Sequence, residues 1–189
     1  MQVWTESITP SDHWVLWGVF IGLFCLMALI GRYTDARDVA LNPNSGYSRP
    51  IIALEFRADL APQIFTSWDE ITRGKLRQAL IWDYLFLFLY PAVIATACFI
   101  AGSYLDRNGI LSFRVTIVVM ALQLVAGVLD AIENYALLQV LDGAIRSSWP
   151  QLARYCATVK FGLVVLGFGY AVILGGGIWI IKTVRALLT

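Results

Sequence analysis

The sequence predicts an all-α polytopic membrane protein with four transmembrane helices, and three observations lead to that fold class. The 189 residues are 59% hydrophobic and only 14% charged, whereas soluble domains are about 45–50% apolar and about 25% charged. Four long apolar segments can each cross a hydrocarbon core of about 30 Å at about 1.5 Å per helical residue. Lys and Arg are concentrated on alternate connections. The predicted spans, in one membrane domain over 1–189, are about 13–32, 80–105, 113–141 and 155–182.

The first span begins with a recognisable helix start. Thr9 supplies a hydroxyl cap, Pro10 occupies the first helical position and Asp12 lies in the first turn, where an acid complements the helix dipole. The run from 14 to 31 is uncharged and ends at Arg32. This run is just long enough to cross most of the hydrocarbon core.

The connection over 33–79 is predicted to be a long loop with interfacial helices. The run 42–46 (Asn-Pro-Asn-Ser-Gly) breaks any helix, and short helices are expected over 50–56 and 61–71. Apolar residues at three- and four-residue spacing mark the second of these: Leu60, Ile64, Phe65, Trp68 and Ile71. The stripe indicates either a helix in the membrane interface, with Trp at headgroup level, or a helix packed on the end of the bundle. The spacing leaves both open.

The other three spans follow with short connections. Pro91 lies near the middle of the second span and predicts a kink there. The run 106–109 (Asp-Arg-Asn-Gly) is a tight turn. The third helix begins near Phe113 and continues through an acidic stretch to about Leu141, and the fourth starts near Tyr155 after a polar link.

Each span carries a stripe of small or polar residues on one helical face. The stripes are Gly18, Gly22, Cys25 and Leu29; Asp83, Tyr90, Ile94, Ala97 and Ala101; Gln123, Gly127, Asp130 and Asn134; and Lys160, Gly167, Ala171 and Gly175. Small residues let helices approach closely in lipid, where packing holds the spans together. We therefore expect these faces to meet inside the bundle.

Each stripe ends near the same side of the membrane in a polar or charged residue. An ionisable group inside a span costs at least a few kcal/mol unless it is paired, so we expect these residues to form one cluster. Glu55 and Tyr84 would join it if the helix over 50–56 folds back under the bundle. The candidate site residues are Arg32, Glu55, Asp83, Tyr84, Asp130, Glu133, Asn134 and Lys160.

The charge balance of this candidate cluster leaves one carboxylate in excess. Asp83, Asp130 and Glu133 face the two cations Arg32 and Lys160. The extra negative charge would take a proton, recruit another arginine from the first loop or bind a cation. No cofactor is predicted, and a divalent cation is the alternative.

The distribution of Lys and Arg predicts the orientation. Ten of the 14 cationic residues fall on the side of the first and third loops, and four on the other. By the positive-inside rule both loops are cytoplasmic and both termini are outside, in the inner (plasma) membrane. The near-neutral net charge of +1 and the absence of a basic arm argue against nucleic acid as a partner.

A second glycine seam lies on the opposite face of the fourth span. Gly162, Gly169 and Gly176 are spaced by sevens. Either this helix is central in the bundle, or the seam meets another protomer or a partner subunit. The expected partners are therefore membrane lipid and a second copy or subunit.

The order of several short motifs resembles that of a group of uncharacterised bacterial four-span membrane proteins. The motifs are Leu54-Glu55-Phe56, then Trp68, then Asp83-Tyr84-Leu85-Phe86 with Tyr90, then Asp130-x-x-Glu133-Asn134. They cover about half of the chain. The resemblance implies a place for Glu55 in the polar set, and it implies no particular activity.

Three functions fit these observations. The first is a non-enzymatic bundle whose cluster locks the spans and which binds lipid or a partner protein. The second is an enzyme that acts on a lipid headgroup through its carboxylates or a divalent metal. The third is a transporter of protons or small cations, in which Asp130 and Glu133 would titrate. The sequence leaves these three functions as alternatives.

Overall fold

A computed structural model describes residues 10–40, 55–145 and 148–188 of the chain, and these residues contain helices and turns but no strand. The long helices are α1 (Pro10–Ala40), α3 (Glu70–Arg107), α4 (Phe113–Leu141) and α5 (Trp149–Gly169). A short helix, α2 (Ala61–Thr66), follows a 3₁₀ turn at Ala58–Leu60. A π-helical segment (Tyr170–Gly176) joins α5 to α6 (Gly177–Leu188).

Four of the described helical stretches are long and apolar enough to cross a membrane. They are Trp14–Arg32, Glu70–Arg107, Phe113–Leu141 and Trp149–Arg185. The all-α fold with four such helices is therefore confirmed, and it suggests a multi-pass membrane protein. The second and fourth helices begin earlier than the predicted spans, at 70 and 149, because each has a helix start in its own sequence. Asp69 caps the former, and Pro150 occupies the first turn of the latter.

The predicted short helix over 61–71 is wrong in its extent. Helix α2 ends at Thr66, and Ile71 belongs to α3 instead. The side chain of Asp69 accepts a hydrogen bond from the backbone N–H of Thr72 at 2.8 Å. This N-cap starts a new helix and ends the old one, because the cap residue itself adopts an extended backbone. Most of the helix expected over 50–56 lies outside the described residues.

Helix α2 packs on the end of the bundle. Ile64 and Trp68 are buried, while Ile71 is 69% exposed. Ile64 and Trp68 belong to a core that also includes Leu76, Leu80, Leu137, Val140 and Ala153 from α3, α4 and α5. The apolar stripe left open a helix in the membrane interface or a helix packed on the end of the bundle, and the observed packing matches the second of these. The segment over 55–69 is thereby fixed beneath the helices.

Helix α4 packs along its length between α3 and α5, and α1 and the π-helical segment lie against α3. Its buried residues recur at three- and four-residue spacing: Thr116, Val119, Gln123, Ala126, Gly127, Asp130, Glu133, Asn134, Leu137 and Val140. The inward face of α4 is thus the one that carries its polar residues.

The stripe of the first span does not face the interior. A side chain added at Gly18 or Gly22 would meet nothing within 4 Å, and Cys25 and Leu29 are exposed. The expectation that all four stripes meet is therefore wrong for α1. Small residues permit a close approach but do not say which face a neighbouring helix will use.

The glycines of the other stripes do face inward. A Cβ at Gly167 would overlap Gln123, and one at Gly175 would overlap Ala101. A Cβ at Gly127 would come within 3.2 Å of the carbonyl oxygen of Leu87. That carbonyl has lost its helical donor, because Pro91 four residues later has no N–H. Gly127 therefore lets α4 cover the part of α3 that Pro91 leaves open.

Candidate functional site

Buried charged and polar side chains gather at the end of the bundle beneath which residues 55–69 fold. They come from three long helices and from the first described residue after the gap. We refer to the following set as the charged cluster: Glu55, Asp83, Asp130, Glu133, Asn134 and Lys160. Asp83 is half-buried and the other five are buried.

Lys160 is the centre of the charged cluster. Its Nζ atom lies 2.7 Å from Asp130 Oδ1 and 2.7 Å from Glu133 Oε2. The two acids are three residues apart on α4 and so share a face, which α5 covers with Lys160. All three are almost completely removed from solvent, with Glu133 0%, Asp130 3% and Lys160 7% exposed. One cation on α5 therefore joins two carboxylates on α4.

A second polar link joins α4 to α3. Asn134 Nδ2 donates a hydrogen bond to Asp83 Oδ2 at 2.8 Å. One residue further along α3, the Tyr84 hydroxyl donates to the backbone carbonyl of Ala131 at 3.3 Å. With Lys160, these contacts connect α3, α4 and α5 at one level of the bundle.

Glu55 reaches the charged cluster from the first loop. It is 8% exposed, and its segment is held by Phe56, whose ring lies 5.5 Å from that of Phe161. Burial raises the pKa of Glu55 above its ordinary 4.5, and Lys160 opposes this rise. The negative charges of Asp130 and Asp83 raise it further. This environment favours the protonated form of the Glu55 carboxyl.

The raised pKa of Glu55 predicts a pH dependence of stability. A carboxyl group whose pKa is higher in the folded state contributes most below its unfolded pKa, and that contribution is lost as the pH rises through the folded value. We expect the free energy of unfolding of the Glu55→Gln variant to exceed that of the wild type increasingly above pH 4.5, and then to level off. Denaturation in detergent at several pH values measures this difference. Parallel curves for the two proteins would contradict it.

Arg32 is not brought into the charged cluster. It is exposed at its place on α1 and makes no ion pair with the described residues. Its expected membership is therefore not what the structure shows, since the stripe that it ends faces away from the interior. Among the described residues the charged cluster therefore has four carboxyl groups and one cation. With so few positive charges, we expect some of the carboxyl groups to carry a proton.

Tyr90 was on the predicted stripe but not among the predicted site residues. Its side chain is buried in the bundle. Gln123 lies deeper and donates through Nε2 to the carbonyl of Leu163 at 3.0 Å. The helical spacing from Asp83 to Tyr90 and from Asp130 to Gln123 is the signal that could have included both.

A metal site is not formed by these side chains as they stand. In the described ranges no group of three or more His, Cys, Asp or Glu side chains is arranged to hold a metal ion. The ammonium of Lys160 already occupies the position between Asp130 and Glu133, where a shared cation would otherwise lie. The arrangement pairs the buried carboxylates of Asp130 and Glu133 with the ammonium of Lys160.

A groove opens between α3 and α4 beside the charged cluster. Its volume is about 680 Å³, within the range of about 300–1,000 Å³ that is usual for ligand sites. Apolar side chains line it, and its floor is the contact between Pro91 and Gly127. Three aromatic residues, Tyr84, Tyr135 and Trp149, stand at the end near the cluster. We call it the α3–α4 groove.

The last two aromatic residues are fixed by each other, since the rings of Tyr135 and Trp149 meet edge to face at 5.6 Å. Tyr84 is fixed by its bond to Ala131. The cluster end of the groove is therefore amphipathic, with aromatic side chains in its lining and the charged cluster beside it. Comparison of the chain with protein-family models, with curated proteins and with solved structures finds no match.

Proposed function

We propose that the protein is a small integral membrane protein that binds a membrane lipid without catalysis, with an acyl chain in the α3–α4 groove and the charged cluster as its structural lock. The observation that carries the proposal is the apolar groove with an aromatic end directly beside the buried cluster. In this proposal the four long helices cross the inner membrane, the first and third loops are cytoplasmic and both termini are outside.

The burial of the cluster supports a structural role. Glu133 and Asp130 are closed off by α5 and paired with Lys160. A lipid headgroup could not touch these atoms unless the helices separated. Carboxylates that act as general acids or bases must come within hydrogen-bonding reach of their substrate. The contacts of these charged groups instead join α3, α4 and α5 to one another.

The form of the groove supports a lipid as the ligand. The groove runs from Leu124 to Tyr135 on α4, which is about 16 Å of helix. Its walls are apolar and open toward the outer face of the bundle, where acyl chains would lie. Tyr and Trp are the residues that occupy the boundary between hydrocarbon and headgroups, and here they mark one end only. A lipid bound this way would have its headgroup at the cluster end.

Filling the groove tests the proposal. Val128 lines the groove and is 60% exposed, whereas Val125 is 47% exposed and does not line it. We expect Val128→Trp to retain about tenfold less phospholipid through purification in detergent, a loss of about 1.4 kcal/mol of binding free energy. Native mass spectrometry of the purified chain measures the retained lipid.

Val125→Trp is the matched control, because it adds the same ring to the same helix about one turn away. It should retain lipid like the wild type. Equal retention by both variants and the wild type, with both variants folded, would remove the α3–α4 groove from consideration as a lipid site. A large loss in both variants would mean that the added ring, and not the groove, is responsible, and would equally contradict the proposal.

A further inference from the structure

Glu55 and Glu133 bring two carboxyl groups together at the end of the bundle. Their side chains lie within hydrogen-bonding reach of each other, and both are buried, with Glu55 8% and Glu133 0% exposed. Glu133 is part of α4, whereas Glu55 comes from the first loop. The two side chains, which we call the carboxyl pair, therefore join the first loop directly to α4.

The carboxyl pair needs a proton to form a hydrogen bond. An ionised carboxylate only accepts hydrogen bonds, whereas a protonated carboxyl group also donates one. Lys160 contacts Glu133 Oε2 at 2.7 Å, and the other oxygen, Oε1, is buried and accepts no hydrogen bond from the residues that the structure describes. A proton on the carboxyl pair supplies the missing donor. This argument does not depend on the net charge of the surroundings, because two acceptors in contact require a proton in any case.

Titratable groups face the carboxyl pair from each of the long helices packed against it. They are Lys160 and Cys156 from α5, Asp130 from α4, and Asp83 and Tyr90 from α3. Lys160 already binds both Asp130 and Glu133 at 2.7 Å. A negative charge on Glu55 would therefore be placed beside other acidic groups in a site with little water, where repulsion between like charges is strong.

The part of the first loop that carries Glu55 is held by few contacts. Residues 55–59, which we call the Glu55 arm, are attached by Glu55, by the ring of Phe56 at 5.5 Å from that of Phe161, and by the buried Ala58. Phe56 remains 38% exposed. Helix α2, by contrast, is anchored in the apolar core at the end of the bundle. The Glu55 arm can therefore move without α2.

We propose that Glu55 and Glu133 form a proton-binding site that shares one proton, and that loss of this proton to water releases the Glu55 arm and opens the charged cluster to solvent. With the proton bound, the carboxyl pair holds the arm against α4. Without it, two adjacent carboxylates repel each other, and Glu55 is the one that moves, because Glu133 is fixed on a long helix and to Lys160. The raised pKa of Glu55 gives the direction, with the arm closed in acid and released as the pH rises. This device requires no lipid.

Hydrogen exchange of the full chain in detergent measures the release. The backbone N–H of Leu60 donates to the carbonyl of Arg57 at 2.9 Å, so its protection reports whether the Glu55 arm is closed. The chemical exchange rate itself depends on pH, and wild type and variant are therefore compared at equal pH, between about pH 5 and about pH 9, a range that includes the pKa values known for buried glutamates.

Glu55→Gln should keep the arm closed at every pH, because the introduced amide donates to Glu133 without a titrating proton. We expect the Leu60 N–H of the wild type to exchange about tenfold faster than that of Glu55→Gln at the alkaline end of the range, and equally fast at the acid end. Equal exchange in the two proteins at every pH would show that the arm is not released.

Two controls make the result specific to the arm and to the carboxyl pair. The backbone N–H of Trp68 donates to the carbonyl of Phe65 at 3.2 Å and should show no such difference, because α2 stays in the core. A difference that extends to Trp68 would mean that the whole loop leaves the bundle, and would contradict the inference. Asp59→Asn removes an exposed carboxylate from the same arm and should keep the pH response of the wild type.

A second acid variant tests whether the proton is shared. In Glu133→Gln the introduced amide donates to Glu55, and Lys160 keeps its contact with Asp130. We expect this variant, and the double variant Glu55→Gln, Glu133→Gln, to lose the pH response as completely as Glu55→Gln. A wild-type response in Glu133→Gln would show that Glu55 titrates alone, and would overturn the shared site. Val128→Trp should keep the pH response, so failure here is distinguishable from failure of the lipid site.

Discussion

Replacement of Lys160 by Met should destabilise the folded protein by about 3–5 kcal/mol, the usual cost of breaking a buried ion pair by removing one partner. Lys160 holds Asp130 and Glu133 at 2.7 Å each. Methionine has a similar length but no charge, so both carboxylates would remain buried without their cation. Thermal or denaturant unfolding of the purified protein in detergent measures the loss.

Two further variants show whether charge is the cause. In the triple variant Lys160→Met, Asp130→Asn, Glu133→Gln no buried charge of this set is left unpaired, and we expect it to recover much of the lost stability, because replacing a whole buried ion pair is often nearly neutral. Lys182→Met removes an exposed lysine and should have little effect. A Lys160→Met protein as stable as the wild type would show that the charged cluster is no structural lock.

The long helices could be predicted because each lipid-spanning helix requires a long apolar run within its own sequence. Uncharged runs of sufficient length predict them without knowledge of any neighbour. The inward face of α4 was equally readable, since Gln123, Asp130 and Asn134 share one helical face and are costly to leave in lipid. The structure buries all three. Local periodicity and the cost of polar groups therefore account for the part of the site on α4.

The place of Arg32 could not be predicted in the same way. A stripe of glycines shows where another helix can approach, but in lipid no hydrophobic effect forces that face inward. Arg32 also ends its span, where a long side chain reaches water readily. Its exposure costs little, whereas exposure of Asp130 to lipid would cost much. Sequence therefore predicts the burial of a polar residue only where its exposure to lipid would be energetically costly.

The start of α3 at Glu70 has a local signal in the sequence. Aspartate is a preferred N-cap residue, and Asp69 accepts a hydrogen bond from the backbone N–H of Thr72, but the apolar stripe across it obscured the boundary. The π-helical segment is different. It is held by long-range contacts, including the bond of 2.7 Å between the Tyr170 and Thr116 hydroxyls. A pairing across 54 residues leaves no local signal in the sequence.

The α3–α4 groove and the charged cluster follow from one division of the bundle. Polar groups that cannot be wetted are concentrated where α3, α4 and α5 meet, and small residues set the other contacts. Close helix contacts next to larger side chains leave channels along the surface. The α3–α4 groove is such a channel, and it lies beside an amphipathic end. The stability of the helix contacts therefore determines whether this groove exists.

Gly102→Ala should be the most disruptive single-methyl change in the bundle, with a loss of about 1–3 kcal/mol from overpacking. A Cβ at Gly102 would fall on the side chain of Thr116. Thr116 is 0% exposed and bonded to Tyr170, so it cannot rotate away without giving up that bond. Helices α3 and α4 would have to separate at this level. Unfolding in detergent should show the loss.

Gly162→Ala provides the control, because an added Cβ there meets nothing within 4 Å. By helix propensity alone both substitutions should stabilise the protein by about 0.8–1 kcal/mol. We expect Gly162→Ala to follow propensity and Gly102→Ala to oppose it, so the two melting temperatures should move in opposite directions from the wild type. If both rise together, α3 and α4 do not touch at Gly102 and Thr116.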